Sequence, residues 1–252
     1  MMMKYGFQLL LLLLLGTLST EAEMKKESVK KGSVTLPYQW TRTGDGDSPA
    51  MILFLHGAGE RGDNNQSQTK HGVPDLLQWL KENEKDCVVI APQCPREGWW
   101  ANSRGDFRDA KNLSLRANAS PVMKLVFSAV DQLVKSENVD PKRIYITGLS
   151  MGGYGTFDAL ARRPDFFAAA VPICGGGDVK TAEKFKHVPL WIFHGDADNV
   201  VPVTMSQVMV KALKEAGGEP KYTEYPGVKH NSWTQTYRNP EVWLWLFAQQ
   251  KK

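Results

Sequence analysis

The sequence predicts one α/β domain with a mostly parallel central sheet and helices on both faces. Three observations predict it. Short apolar runs rich in β-branched and aromatic residues alternate with longer stretches of helical periodicity. The runs are apolar throughout rather than at every second residue, as strands covered on both faces must be. Each run ends near Gly, Pro or His, where loops leave a sheet.

The elements follow in order. A strand or hairpin at about Ser33 to Arg42 adds antiparallel strands at one edge. Buried strands are expected at Met51–Leu55, Val88–Ile90, Ile144–Ile146, Ala168–Ile173 and Leu190–Phe193, with a further strand at Tyr222–Tyr225. Val122 to Ser136 carries Val122, Leu125, Val126, Ala129, Val130 and Leu133 at three- and four-residue spacing, the stripe of a helix lying on a sheet. A helix over Met151–Arg162 stops before Pro164, and one over Met205–Ala216 is closed by Gly217-Gly218. The last helix starts near Pro240. Strand–helix alternation of this kind gives a doubly wound sheet, whose ligands sit beyond the carboxyl ends of the strands.

Composition agrees. Of 252 residues, 42% are hydrophobic and 23% charged, which excludes disorder and a polytopic membrane protein. A net charge of +4, without a long run of one sign, gives no reason to expect nucleic acid. No repeat or linker divides the chain. Residues 1–22 read as a signal peptide: Lys4 precedes seven consecutive leucines, Leu9 to Leu15, and Ala22 suits cleavage. The apolar run is shorter than the roughly 20 residues that span a bilayer, so no stable membrane anchor is expected. The mature domain is then 23–252, secreted or periplasmic.

Cys87, Cys94 and Cys174 are an odd count. Cys87 and Cys94 flank an extended strand and stand too far apart to bridge. Cys94–Cys174 stays open, beside the reading of three buried free thiols. No His, Cys or carboxylate set has ligand spacing, so neither metal nor cofactor is expected.

The chemistry concentrates after the strands. Ile144 to Gly153 runs from a strand through Gly148-Leu149-Ser150-Met151-Gly152 into a helix. G-x-S-x-G in that context is a nucleophile elbow, a sharp turn exposing the Ser150 hydroxyl. A serine nucleophile needs a base, and the base an orienting carboxylate. Of five histidines, only His230 follows both the serine and a plausible acid. His56 and His194 close strands and read as structural, while His71 and His187 have no motif support. Asp198 in His194-Gly195-Asp196-Ala197-Asp198-Asn199-Val200-Val201-Pro202 is the preferred acid. Asp196, expected to hold its loop by local bonds to amides, and Asp178 remain competitors. Oxyanion donors are expected at the Met151 amide and the Ala58 amide, with Gly59 second. Glu60 and Arg61 offer a pair that would fix that loop.

The segments HGAGERGDN at 56–64, APQCP at 91–95, RIYITGLSMGGYGTFD at 143–158, VPICGGGD at 171–178, FHGDADNVVP at 193–202 and HNSW at 230–233 resemble secreted α/β-hydrolases. The likeness covers about residues 33–248. It points to bacterial esterases related to polyhydroxybutyrate depolymerase, feruloyl esterase and dienelactone hydrolase, also labelled predicted peptidases or phospholipase/carboxylesterase-like. The resemblance implies Ser150 as nucleophile, Asp198 as acid, His230 as base, and Met151 with the loop after His56-Gly57 as oxyanion hole. Dienelactone hydrolases proper use cysteine, and Ser150 departs from that.

Substrate choice falls to loops. The segment from Gly98 to Pro121, with Trp99, Trp100, Arg104, Phe107 and Arg108, is too long for a simple connection and is expected to border the site. Trp233 offers another wall, and Gly59 lets a substrate approach. Indole faces suit sugar rings or aromatic acyl groups. The expectation is a cofactor-free carboxylesterase acting on acetyl or hydroxycinnamoyl esters of polysaccharide, or on related small esters. The alternatives are a serine peptidase acting on small peptides and a catalytically silent carbohydrate-binding module.

Overall fold

The computed structural model describes residues 24–32 and 34–251. The expected signal peptide lies outside the described residues. Ten strands and seven helices follow in chain order: β1 (Lys25–Lys31), β2 (Val34–Thr43), β3 (Ala50–Leu55), α1 (Val73–Glu82), β4 (Cys87–Pro92), β5 (Ser103–Arg104), β6 (Ser114–Leu115), α2 (Pro121–Ser136), β7 (Ile144–Leu149), α3 (Met151–Arg162), β8 (Ala169–Ile173), α4 (Ala182–Phe185), β9 (Trp191–Gly195), α5 (Thr204–Glu215), β10 (Lys221–Tyr225), α6 (Trp233–Arg238) and α7 (Pro240–Phe247). Eight strands form one sheet in the order β1-β2-β4-β3-β7-β8-β9-β10. From β4 to β10 every neighbouring pair is parallel, while β2 runs antiparallel to β4 and β1 antiparallel to β2.

The apolar runs are strands because both faces are covered. Met51, Leu53 and Leu55 of β3 point into one core, with Val122, Val126, Ala129 and Val130 of α2 and Leu160 of α3. Ile52 and Phe54 point into the other, with Leu76 and Leu80 of α1 and Val242, Trp243 and Leu246 of α7. Alternation at period two thus feeds two cores from one strand. Burying side chains of this size stabilises the fold by about 1.5–3 kcal/mol each. The predicted edge strand is β2, and the structure adds β1, whose lysines and glutamate face solvent and discourage edge-to-edge pairing. The expectations contain no helix over α1 or α6.

The long segment 98–120 is pinned rather than loose. β5 and β6 pair as a short antiparallel ribbon. Trp100 is fully buried and its indole N–H donates to the His56 carbonyl at 3.0 Å, so it packs instead of bordering a substrate space. The Ser120 hydroxyl accepts from the Met123 amide, capping α2, and donates to the Trp100 carbonyl. Buried Asp158 of α3 pairs with Arg162 at 2.7 Å and accepts from the Asn102 amide, tying the segment to α3. Because Asp158 is enclosed, losing Arg162 would leave a buried charge unpaired, which is strongly destabilising.

Candidate active site

The elbow takes its shape from close backbone packing. A Cβ on Gly152 would stand 1.9 Å from the Leu55 carbonyl oxygen, and one on Gly148 2.3 Å from that of Gly152. Neither position admits a side chain, so β7, β3 and α3 meet backbone to backbone. Ser150 itself has φ +53° and ψ −116°, a strained conformation for a residue with a Cβ, and its amide is held by the Ile173 carbonyl at 2.9 Å. Met151 begins α3, so its amide has no acceptor within the helix and the helix dipole favours negative charge there.

The loops after β9 and β10 bring the other side chains in. The Ser150 hydroxyl donates to His230 Nε2 at 2.9 Å, and His230 Nδ1 donates to Asp198 Oδ2 at 2.7 Å. Residues 80 and 32 positions apart thus form one hydrogen-bonded line. The Asp198 side chain is fully enclosed, while that of His230 is 19% exposed, leaving the imidazole as the face open to solvent. Burial opposes ionisation of Asp198. Hydrogen bonds from His194, His230 and the Val200 and Val201 amides outweigh it and hold the carboxyl well below the usual range.

The competing acids do other work. Asp178 caps the turn after β8, accepting from the Lys180 amide, and also accepts from the Leu115 amide of β6. Asp196 accepts from the Gly227 amide at 2.7 Å. That corrects the expectation of local bonds: Asp196 ties its loop to the turn leading into His230, whereas Asp198 makes the local ones. Glu60 and Arg61 do not pair with each other. Glu60 Oε1 lies 3.5 Å from His71 Nε2, and Arg61 donates to the Ala58 and Gly98 carbonyls.

His56, buried, fixes the loop that carries Ala58. Its Nδ1 donates to the Gly57 carbonyl at 2.6 Å, and its Nε2 accepts from the Cys94 amide at 2.9 Å. Desolvation, reinforced by the Arg61 charge, lowers its pKa to about 4 and keeps it neutral in that double role. Ala58 heads a single 3-10 turn, so its amide, like that of Met151, has no acceptor within its helix. A Cβ on Gly59 would meet nothing within 4 Å, so space adjoins that residue.

The predicted walls divide. Trp99 is 40% exposed, with the Arg61 guanidinium 5.6 Å from its ring centre and Phe107 at 5.9 Å. Trp233 starts α6 and meets His230 edge-on at 5.3 Å and His71 at 5.9 Å. Three contacts are absent from the expectations, although the residues themselves are not. His194 is fully buried and contacts the acid: its Nε2 lies 3.2 Å from Asp198 Oδ2 and 3.0 Å from the Val201 carbonyl, and its Nδ1 meets the Ser206 hydroxyl at 2.7 Å. The sequence signal was the histidine four residues before the acid. Phe107 packs edge-on against Tyr154 of α3, setting the long segment beside the elbow helix. Cys174, a buried free thiol, stands close to Asp198 and His230. All three cysteines are free and buried, so Cys94 and Cys174 do not pair.

Residues 38–241 match the model of the phospholipase/carboxylesterase family. The chain belongs to this family. Carboxylesterase SOBER1 of Arabidopsis thaliana is 25% identical over 204 residues, 77% of this chain and 89% of that protein. The bifunctional acetylxylan esterase/xylanase XynS20E of Neocallimastix patriciarum is 30% identical over 166 residues, 66% of this chain but 22% of that larger protein. A thermostable esterase of solved structure superposes with a TM-score of 0.81 at 40% identity, over 90% of this chain and 63% of that one. The fold is that of the α/β-hydrolases, and this member of the phospholipase/carboxylesterase family is a serine hydrolase of the carboxylesterase type.

Proposed function

We propose that the protein is a secreted or periplasmic carboxylesterase that removes small acyl groups, acetyl or hydroxycinnamoyl, from polysaccharide or related small esters. The observation that carries this reading is the unbroken line from the Ser150 hydroxyl through His230 to Asp198 at the carboxyl ends of parallel strands. Ser150 Oγ attacks the ester carbonyl as His230 Nε2 takes its proton. The oxyanion is held by the Met151 and Ala58 amides, each typically worth about 3 kcal/mol of barrier. Collapse breaks the C–O bond, and His230 protonates the departing alcohol. Water then attacks the acyl-serine, giving its proton to His230, which returns it to Ser150 as the acid leaves. Asp198 stays ionised throughout, holding the imidazole tautomer and balancing its transient charge.

The half-exposed Trp99, braced by Arg61 from the oxyanion loop, supports a sugar or aromatic acyl group as the substrate's neighbour. Likeness to an acetylxylan esterase supports the same choice. The leucine run in residues 1–22 supports export. A panel of acetylated xylan, methyl ferulate and small peptides tests substrate class. Acetyl or feruloyl release at rates well above peptide cleavage is expected, and preferential peptide cleavage would reject the reading. Amino-terminal sequencing of the exported protein should give residue 23 first. Retention with an intact leucine run would remove the export part alone.

A further inference from the structure

Beneath the hydrogen-bonded line lies Cys174, a donor that ester hydrolysis does not use, beside two members of the line that it does. The Cys174 sulfur, an Asp198 carboxylate oxygen and an imidazole nitrogen of His230 all lie within 4.8 Å of one another. Cys174 follows β8 directly, with φ +40° and its amide bonded to the Phe193 carbonyl at 2.8 Å. That left-handed turn brings the end of β8 under the loops after β9 and β10. The buried Ser232 hydroxyl lies beside the thiol and bonds to no nitrogen or oxygen. A buried hydroxyl whose polar neighbour is a weakly bonding thiol keeps lone pairs to offer a ligand.

We propose that Cys174, Asp198 and His230 form an inhibitory site for a thiophilic divalent cation of the zinc class. Thiolate, imidazole and carboxylate are the donors such ions take, in a tetrahedron with bonds of about 2.0–2.3 Å. Donors around such an ion stand about 3.5 Å apart, so the present cluster closes by small side-chain rotations. The Ser232 hydroxyl or a water completes the fourth position. On binding, the Cys174 proton passes to solvent and the His230 Nδ1 proton shifts to Nε2, so metal bonds replace the direct contact between His230 and Asp198 and the ring no longer accepts from Ser150; nothing is oxidised or reduced. Burial pushes the free thiol up to about 12, so it stays protonated and inert until an ion supplies the charge that ionises it. The way in passes His230, the exposed member of the three.

The effect on turnover rests on the proposed triad, but binding does not, and the tests separate the two. Cadmium titrated into the Ser150→Ala protein reads binding without activity. A thiolate-to-cadmium absorption band in the ultraviolet should saturate at one equivalent and vanish when His230→Ala is added, a partly exposed position whose change spares the core. Zinc should inhibit hydrolysis of p-nitrophenyl acetate by the wild type reversibly, with activity recovered in EDTA. Its inhibition constant should rise at least about tenfold in Cys174→Ser, the near-isosteric change least harmful to packing. Absence of the band, a band that survives His230→Ala, or equal zinc inhibition in wild type and Cys174→Ser would each overturn the proposal. A cadmium band in a protein that hydrolyses no ester would leave the site standing and reject the esterase reading instead.

Discussion

His194 Nε2 lies 3.2 Å from Asp198 Oδ2, the same oxygen that accepts from His230 Nδ1 at 2.7 Å. One carboxylate oxygen therefore serves two imidazoles. The second is held by Ser206, whose oxygen lies 2.7 Å from His194 Nδ1 and whose hydroxyl proton goes to the Gly175 carbonyl at 2.9 Å. His194 thus acts through Asp198 as a positioning residue. His194→Leu removes a donor to a buried carboxylate, a loss of about 1–3 kcal/mol. Turnover should fall about tenfold or more with KM nearly unchanged. His194→Gln, which can restore an N–H near the Nε2 position, should recover most of it. Equal damage by both changes would mean that His194 serves packing alone.

Ser150→Ala should abolish ester hydrolysis, with turnover below about 1% of wild type, since losing a triad nucleophile usually costs far more. Stability should follow the backbone. At φ +53° a Cβ is strained by about 1–3 kcal/mol, so Ser150→Gly should raise the urea midpoint relative to Ser150→Ala. Comparable midpoints would show that the elbow stores no such strain.

The three aspartates separate by what they hold. Asp198→Asn should cut turnover by orders of magnitude, because the amide favours the wrong imidazole tautomer. Asp178→Asn should leave turnover near wild type but cost about 1–2 kcal/mol, since one of the two amides it accepts from loses its partner. Asp196→Asn should fall between, acting through the Gly227 turn that precedes His230. A crippling Asp178→Asn with a mild Asp198→Asn would reverse the assignment.

His56 carries a pH dependence of stability. Its native pKa of about 4 lies below the ordinary 6.5, so between these values the unfolded chain binds a proton that the native state refuses. The stabilisation is complete above pH 6.5 and is lost as the pH falls toward 4, amounting to about 3 kcal/mol. Urea unfolding at pH 7 and pH 4.5 should show that extra loss in wild type but not in His56→Asn. Parallel losses in the two proteins would contradict the linkage.

Gly152→Ala and Gly59→Ala should behave oppositely. The first drives a methyl group to 1.9 Å from the Leu55 oxygen and should prevent stable folding of the elbow. The second meets nothing within 4 Å and should fold normally. If Gly59 adjoins the substrate, its methyl should raise KM for a bulky feruloyl ester more than for an acetyl ester. An unchanged ratio would place Gly59 outside the substrate space.

The sequence by itself determined, β1 and the β5–β6 ribbon excepted, the strands from β2 to β10 that build the main sheet, the elbow and the order of serine, acid and histidine. Each is written in a local signal: an unbroken apolar run, a glycine on either side of Ser150, a histidine or aspartate just after a strand. The helix over Met151–Arg162 was legible to the residue, because Pro164 forbids its extension. What only the tertiary structure decided were the contacts between loops distant in sequence. Asp196 and Asp198 are two residues apart and chemically alike, and nothing local says that one meets Gly227 and the other His230. Trp99 and Trp100 are neighbours in an irregular stretch, yet one is open and the other fully buried with its indole N–H on the His56 carbonyl, a contact that no local signal encodes. The sequence offered Cys174 only an open pairing with Cys94, which the structure does not make. It joins Asp198 and His230 because parallel strands β8, β9 and β10 lie in sequence order across the sheet and deliver their carboxyl ends to one edge.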